Sequence, residues 1–197
     1  MTTFPTTATP SHMSSTIILG NGDEAKPGSI TSKFKHFQEW KRLSEDEPGA
    51  VDMETLLKGI FNKDTFVDIF ENFIVFDDSG EERVKILAKN HQYLGVNNAI
   101  DSLRNRDSQQ GRLGVFWHTQ GSGKSYSMVF FTRKVHRRVG GNYTFLVCTD
   151  RDDLDTQIYK TFAGCGIADN DKDPCRASSS EHLRMLLSQQ KGQHHSN

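Results

Sequence analysis

The segment Gly114-Val-Phe-Trp-His-Thr-Gln-Gly-Ser-Gly-Lys-Ser125 runs a short apolar stretch straight into a glycine-rich turn. No other feature restricts the fold as much, because a turn of this kind works only between a strand and a helix. Gly121 and Gly123 permit left-handed backbone angles and a close approach of the main chain to an anion. The N–H groups of the turn converge on that anion, and the following helix adds its positive end. Lys124 would reach the outer phosphates and the Ser125 hydroxyl would hold Mg²⁺. The expected ligand is a nucleoside triphosphate, ATP, held by Thr119, Gln120, Gly121, Ser122, Gly123, Lys124 and Ser125, with Ser125 as the metal-binding residue.

The flanks fit this reading. Leu113, Val115, Phe116 and Trp117 form an apolar run suited to a buried parallel strand. Residues 125–139 carry Met128, Val129, Phe131, Val135 and Val139 near helical spacing. Cations at Arg133, Lys134, Arg137 and Arg138 sit where they complement the helix dipole. They are expected to form a solvated face, with DNA or subunit contact as the alternative. Gly140-Gly141 stops the helix, and Tyr143–Cys148 reads as the next strand. One β-α-β unit of this kind builds a parallel sheet covered by helices.

Composition narrows the setting. The 197 residues carry a formal net charge of −1, so any DNA contact must come from a local patch. Apolar runs are far too short for a membrane span. Residues 1–12 lack the basic start and apolar stretch of a secretory signal, and 1–15 read as a disordered Thr/Pro tail. Three cysteines, at 148, 165 and 175, show no Cys-x-x-Cys spacing and suit a reducing cytoplasm.

Upstream, Thr16–Leu19 reads as a strand end followed by a turn-rich stretch over 20–28. Phe34, Phe37 and Trp40 suggest an amphipathic segment. Helices are expected over 51–61 and 64–73, the second capped by Asp64, and a third over about 88–104. Downstream, a helix with a buried stripe of Leu154, Ile158 and Phe162 follows the second strand. Ser178-x-x-Glu181 is a capping box for a last one. His118 is isolated from other metal-binding residues, and His194-His195 lies in a polar tail.

These residues together carry a resemblance. The loop string with Thr149-Asp-Arg-Asp-Asp-Leu-Asp-Thr-Gln157 resembles the R subunit of type I restriction–modification enzymes. So do Phe73-Ile-Val-Phe76, Lys89-Asn-His-Gln-Tyr93, Val96-Asn-Asn-Ala99, Gly28-Ser-Ile-Thr31 and Phe37-Gln-Glu-Trp-Lys41. His118 stands where the usual loop begins with glycine; loops with that glycine replaced are common in superfamily 2 helicases and point to a motor ATPase. The resemblance implies an α/β fold: an incomplete RecA-like P-loop motor lobe, preceded by a helical connector and the tail of a nuclease domain. The corresponding ranges are a tail at 1–15, the nuclease end and linker at 16–44, the connector at 45–108, and the truncated lobe at 109–197.

In such subunits an ATP-driven motor translocates duplex DNA, a nuclease domain cuts it, and methylation and specificity subunits supply the address. Carried over, Gln92 would recognise adenine, with an ordinary surface residue as the alternative. Thr149, Asp150 and Arg151 would lie against the DNA backbone. Capping of the next helix is the rival role for Thr149 and Asp150, and a Mg²⁺-binding aspartate is a second rival for Asp150. A fragment of another superfamily 2 helicase, or a non-catalytic nucleotide-binding module, remains an alternative to the R subunit.

Parts of the machinery are missing from the sequence. No apolar strand leading to an Asp-Glu pair follows residue 150, and no second lobe supplies arginine fingers. Glu24-Ala-Lys26 mimics part of a nuclease motif but lacks a preceding aspartate and reads as a solvated loop. The chain therefore reads as an internal slice that carries the ATP loop without a complete active centre, inactive by itself and of marginal stability.

Overall fold

The computed structural model describes residues 16–168 and 176–192. The N-terminal tail, most of the loop ending at Pro174, Cys175 and His194-His195 lie outside them. Among the described residues, pairing is confined to two antiparallel hairpins. β1 (Thr16–Gly20) pairs with β2 (Ala25–Ser29), Thr16 opposite Ser29. β3 (Ile74–Asp77) pairs with β4 (Val84–Leu87), Ile74 opposite Leu87. The first hairpin corrects the solvated-loop reading of Glu24-x-Lys26: Lys26 stands in β2 and pairs with Glu39 at 3.2 Å. Asn21 makes the turn possible, its Oδ1 accepting from the N–H groups of Asp23 and Glu24 at 3.0 and 2.8 Å.

The helices follow the apolar periodicity. α1 (Met53–Ile60) starts at Asp52, whose carboxylate accepts from Thr55 N at 2.6 Å and buries Leu56 and Ile60. α2 (Lys63–Asn72) is capped by Asn62, not Asp64, because Asn62 Oδ1 reaches the N–H groups of Asp64 and Thr65. α3 (Asn90–Arg104), α4 (Lys124–Lys134) and α5 (Asp152–Gly164) occupy their expected places. α4 continues as a π-turn over Val135–Val139 and ends at Gly140, φ 69°. α6 (Ser180–Gly192) is entered through Ser179 rather than Ser178, with Ser179 Oγ accepting from His182 N at 3.1 Å. Phe34 and His36 form only a 3-10 turn; Trp40 alone of that trio is buried, at 2% exposure.

One core joins these pieces. Trp40, Leu56, Ile69, Phe73, Val75, Val96, Ile100, Val129, Phe130 and Phe162 form a continuous buried cluster. Phe73 lies at its centre, with its ring centroid 4.8 Å from Tyr93 and 5.7 Å from Phe130. Polar ties cross it as well. Ser29 Oγ donates to Lys85 O at 2.5 Å, linking the hairpins. Lys134 Nζ donates to both Asp68 oxygens at 2.6 Å and to Asn97 Oδ1 at 2.5 Å, tying α4 to α2 and α3.

That network overturns the solvated-face reading for Arg133 and Lys134, whereas Arg137 and Arg138 stay exposed while bonded to α2. Arg133 donates to Ile74 O at 3.0 Å, Arg137 to Glu71 O, and Arg138 pairs with Glu71. The end of α2 and the start of β3 use these cations as intramolecular ties. Burial pulls the Arg133 guanidinium down to about 10 and also lowers the Lys134 ammonium, against the opposing pull of Asp68.

The expected strands at 113–117 and 143–148 are the main departure. Both segments are irregular, and neither pairs with a strand among the described residues. Val115 is 91% exposed and Trp117 84%. A hairpin closes with its own neighbour in sequence, whereas a parallel strand needs partners brought from afar. Between these segments and the helices lies a cavity of about 650 Å³, walled by Val96, Ala99, Val115, Met128, Phe131 and Leu146 among others. Its walls are mainly apolar, with Lys124 and His118 of the loop at its edge, and it separates the expected sheet segments from the helix layer.

Candidate nucleotide site

The phosphate loop has the glycine geometry and the following helix its sequence implies, but not the strand before it. Gly121 and Gly123 take φ of 77° and 90°, angles a side chain would strain. Gly123 is the N-cap of α4, so Lys124 and Ser125 are that helix's first residues. A helix start leaves its first N–H groups without partners in the helix, facing the loop's concave side. Ser122 Oγ, within the loop, is buried with no hydrogen-bond partner. Orphaned donors, left-handed glycines and a lysine at the helix start fit a polyphosphate.

Lys124 is engaged with its own loop, donating from Nζ to His118 O at 2.8 Å and to Thr119 O at 3.0 Å. An arriving phosphate must exchange those carbonyls for its own oxygens. Thr119 also accepts from Ser122 N at 3.3 Å, which closes the turn around Gln120 and Gly121.

Gln92 sits directly under the loop, 2% exposed. Its Oε1 accepts from Lys89 N at 2.9 Å, and its Nε2 donates to Gly123 O at 2.8 Å. This corrects the surface-residue alternative: the amide is buried and bonded at both ends. His91 beside it hydrogen-bonds Ser122 O at 3.2 Å, a loop contact the sequence reading missed. Its adjacency to Gln92 at the start of a helix was the available signal. Burial, with lesser help from His118 and Lys89, holds the His91 imidazole below its usual range; burial likewise lowers His118.

A second cluster backs the loop's helix. Tyr126 donates its hydroxyl to Asp77, at the end of β3, and its phenol is pushed well above its usual range by burial and by that carboxylate. Gly164, ending α5, lets the β3–β4 turn come close: a Cβ there would lie 2.8 Å from Ser79 N and nearer still to Asp77. Cys165 is half-buried beside them, its thiol raised to about 12, chiefly by desolvation. α4 is thus held by α3 at its N-terminus, by α2 at its C-terminus and by β3 between.

The DNA-contact candidates stand apart from this. Arg151 is the N-cap of α5 without a side-chain cap bond, and its guanidinium pairs with Asp153 at 2.6 Å. Asp150 is exposed and Thr149 half-buried. Neither of them caps α5, because the helix opens one residue further on, at Asp152, and its acidic first turn complements the dipole instead. No group of three His, Cys, Asp or Glu side chains that could hold a metal occurs among the described residues.

The geometry agrees with what the chain is similar to. The SWI2/SNF2 ATPase model matches residues 91–196, from His91 through the loop and past α5. The chain belongs to the SWI2/SNF2 ATPase family. It is similar to the type I restriction enzyme HindI endonuclease subunit of Haemophilus influenzae, 37% identical over 182 residues, covering 88% of this chain and 17% of that protein. The putative type I restriction enzyme MjaIXP endonuclease subunit of Methanocaldococcus jannaschii is 30% identical over 172 residues, covering 75% of this chain and 16% of that protein. The chain therefore spans about a sixth of the length of these relatives. The resemblance drawn from the loop and its flanking strings is shown by these relatives. A mixed helix-and-strand fold around a P-loop fits a partial motor lobe of this ATPase family. Among the described residues no helix is long and apolar enough to cross a membrane.

Proposed function

We propose that this chain is part of an R subunit of a type I restriction–modification enzyme, an ATP-dependent translocase of duplex DNA coupled to its cleavage. The observation that carries the reading is the loop: two left-handed glycines leading into α4, with Lys124 at its first position, inside the region matched by the ATPase family. Relatives named as type I restriction enzyme endonuclease subunits support the rest. The ranges proposed are the nuclease end and linker at 16–44, the connector at 45–108, and the lobe from 109 onward. Duplex DNA and the methylation and specificity subunits are the proposed partners.

Thr119 to Gly123 would cradle ATP phosphates with backbone N–H groups, and Lys124 would neutralise the outer ones. Ser125 would hold Mg²⁺, which supplies charge neutralisation across the phosphates when bound. Adenine recognition by Gln92 requires its amide to exchange Gly123 O for the base. DNA contact at Thr149, Asp150 and Arg151 requires Arg151 to leave Asp153.

Titration of the chain with Mg-ATP tests the reading. We expect saturable binding, and loss of about tenfold or more on Lys124→Ala, since a charge-assisted phosphate contact contributes on the order of 1.5–3 kcal/mol. Binding by neither protein favours a non-catalytic module.

A further inference from the structure

Three residues of α3 face the phosphate loop. His91 Nε2 meets Ser122 O at 3.2 Å, and Gln92 Nε2 donates to Gly123 O at 2.8 Å. One turn on, Gly95 has no Cβ where one would lie 2.5 Å from the Phe116 ring, so the segment entering the loop rests directly on the helix. The His91 ring also meets the edge of His118, centroids 4.7 Å apart, and His118 meets Phe116 at 4.4 Å. Phe116, His118 and His91 thus form a row of rings that ends on the Ser122 carbonyl.

A carbonyl only accepts, so Nε2 of His91 carries the hydrogen in this contact. The consequence lies on the other side of the peptide plane. In a trans peptide the carbonyl of one residue and the N–H of the next point in opposite directions. Anchoring the Ser122 and Gly123 carbonyls on α3 therefore turns the N–H groups of Gly123 and Lys124 away from α3, toward the anion side of the loop.

We infer that His91 is a positioning residue of the phosphate loop, setting through the Ser122 carbonyl the direction in which the Gly123 N–H meets phosphate. The part that concerns nucleotide rests on the ATP-binding reading above.

The test uses the whole 197-residue chain with two variants and two measurements. His91→Phe keeps a ring against His118 and removes the donor; His91→Gln restores a donor. Amide hydrogen exchange across 118–126 is followed without nucleotide, and affinity is measured with a fluorescent ATP analogue and Mg²⁺. In His91→Phe, losing about 1 kcal/mol of hydrogen bonding should speed exchange of the Ser122 N–H, which donates to Thr119 O at 3.3 Å, about fivefold and weaken binding by a similar factor. His91→Gln should return both to within about twofold of the parent. Parent-like exchange at Ser122 in a folded His91→Phe overturns the inference, as does equal loosening in both variants. If the parent binds no nucleotide while exchange still follows the donor, the ATP reading falls and the positioning role stands.

Discussion

The helical body around α2, α3 and α4 and the two segments meant for a parallel sheet are built from equally apolar sequence, yet they reach opposite ends. In the body, Phe73, Phe130 and Val129 are fully buried and every cation of the Arg133–Arg138 cluster described above is tied to α2 or β3. In the sheet segments, Val115, Trp117 and Leu146 stay exposed. Helices and hairpins satisfy their backbone groups locally and need partners only for side chains. A parallel strand needs partners for its backbone too. Burial here follows the supply of hydrogen-bonding neighbours more than hydrophobicity.

The largest effect should come from breaking the polar centre of the body. Lys134→Ala leaves Asp68 without the ammonium that bonds both its oxygens, and removing one partner of a buried pair costs about 3–5 kcal/mol. Asp68 retains some solvent contact, so the lower end is expected, read as a fall in urea midpoint. A change under about 1 kcal/mol would mean that α4 is not anchored on α2 as the geometry implies.

That anchor also marks where sequence reading stops. α1 to α5 were legible because apolar spacing and capping chemistry are local, and the loop was legible because its glycines and lysine are contiguous. The fate of Arg133, Lys134, Arg137 and Arg138 was not: a cationic helix end reads the same whether it faces solvent or Glu71 and Asp68, some 66 residues away in sequence. β4 escaped for a similar reason, since Val84-Lys-Ile-Leu87 is too short to separate from a loop without knowing that it faces β3. The same limit works in reverse at 113–117 and 143–148, where strand-like residues cannot announce whether neighbours will pair with them.

Next in size is the link between β3 and the loop's helix. Tyr126→Phe removes the donor to the Asp77 carboxylate and should cost about 1.5–3 kcal/mol, as for a bond to a charged group. Gly164→Ala pushes a methyl against Ser79 and Asp77 and should cost a further 1–3 kcal/mol or so. Both act on one cluster, so the double variant should cost less than their sum. Full additivity would separate the β3 contact from the α5 contact and weaken the idea of a single brace behind α4.

A smaller effect should appear with pH. His91 and His118 are both held below the ordinary imidazole range, chiefly by burial. Between their lowered values and about 6.5 the unfolded chain binds more protons than the folded one, so stability rises with pH across that window and is flat above it. Glu39, Asp52 and Asp78 are held low by their partners and lose their contribution only at more acidic pH. Melting temperature should therefore fall on acidification from pH 7 to 5.5, and His91→Gln should flatten part of that slope. An unchanged slope in His91→Gln would show that the imidazole is as well hydrated in the folded chain as in the unfolded one.

The smallest expected effect tests the sheet segments themselves. Val115→Ser in this chain should change stability by no more than about 0.5 kcal/mol, because a side chain 91% exposed has little burial to lose. In a strand paired and covered on both faces the same change would remove a buried valine, at a cost of about 1.5–3 kcal/mol. Urea unfolding of the variant therefore reports the state of 113–117 directly, without reference to nucleotide. A cost above about 1 kcal/mol would show that the segment buries Val115 in solution and that the parallel sheet forms from the residues at hand. A negligible cost, beside a large one for Lys134→Ala, would place the fold's stability in the helical body and leave the loop standing on α3 and α4 alone.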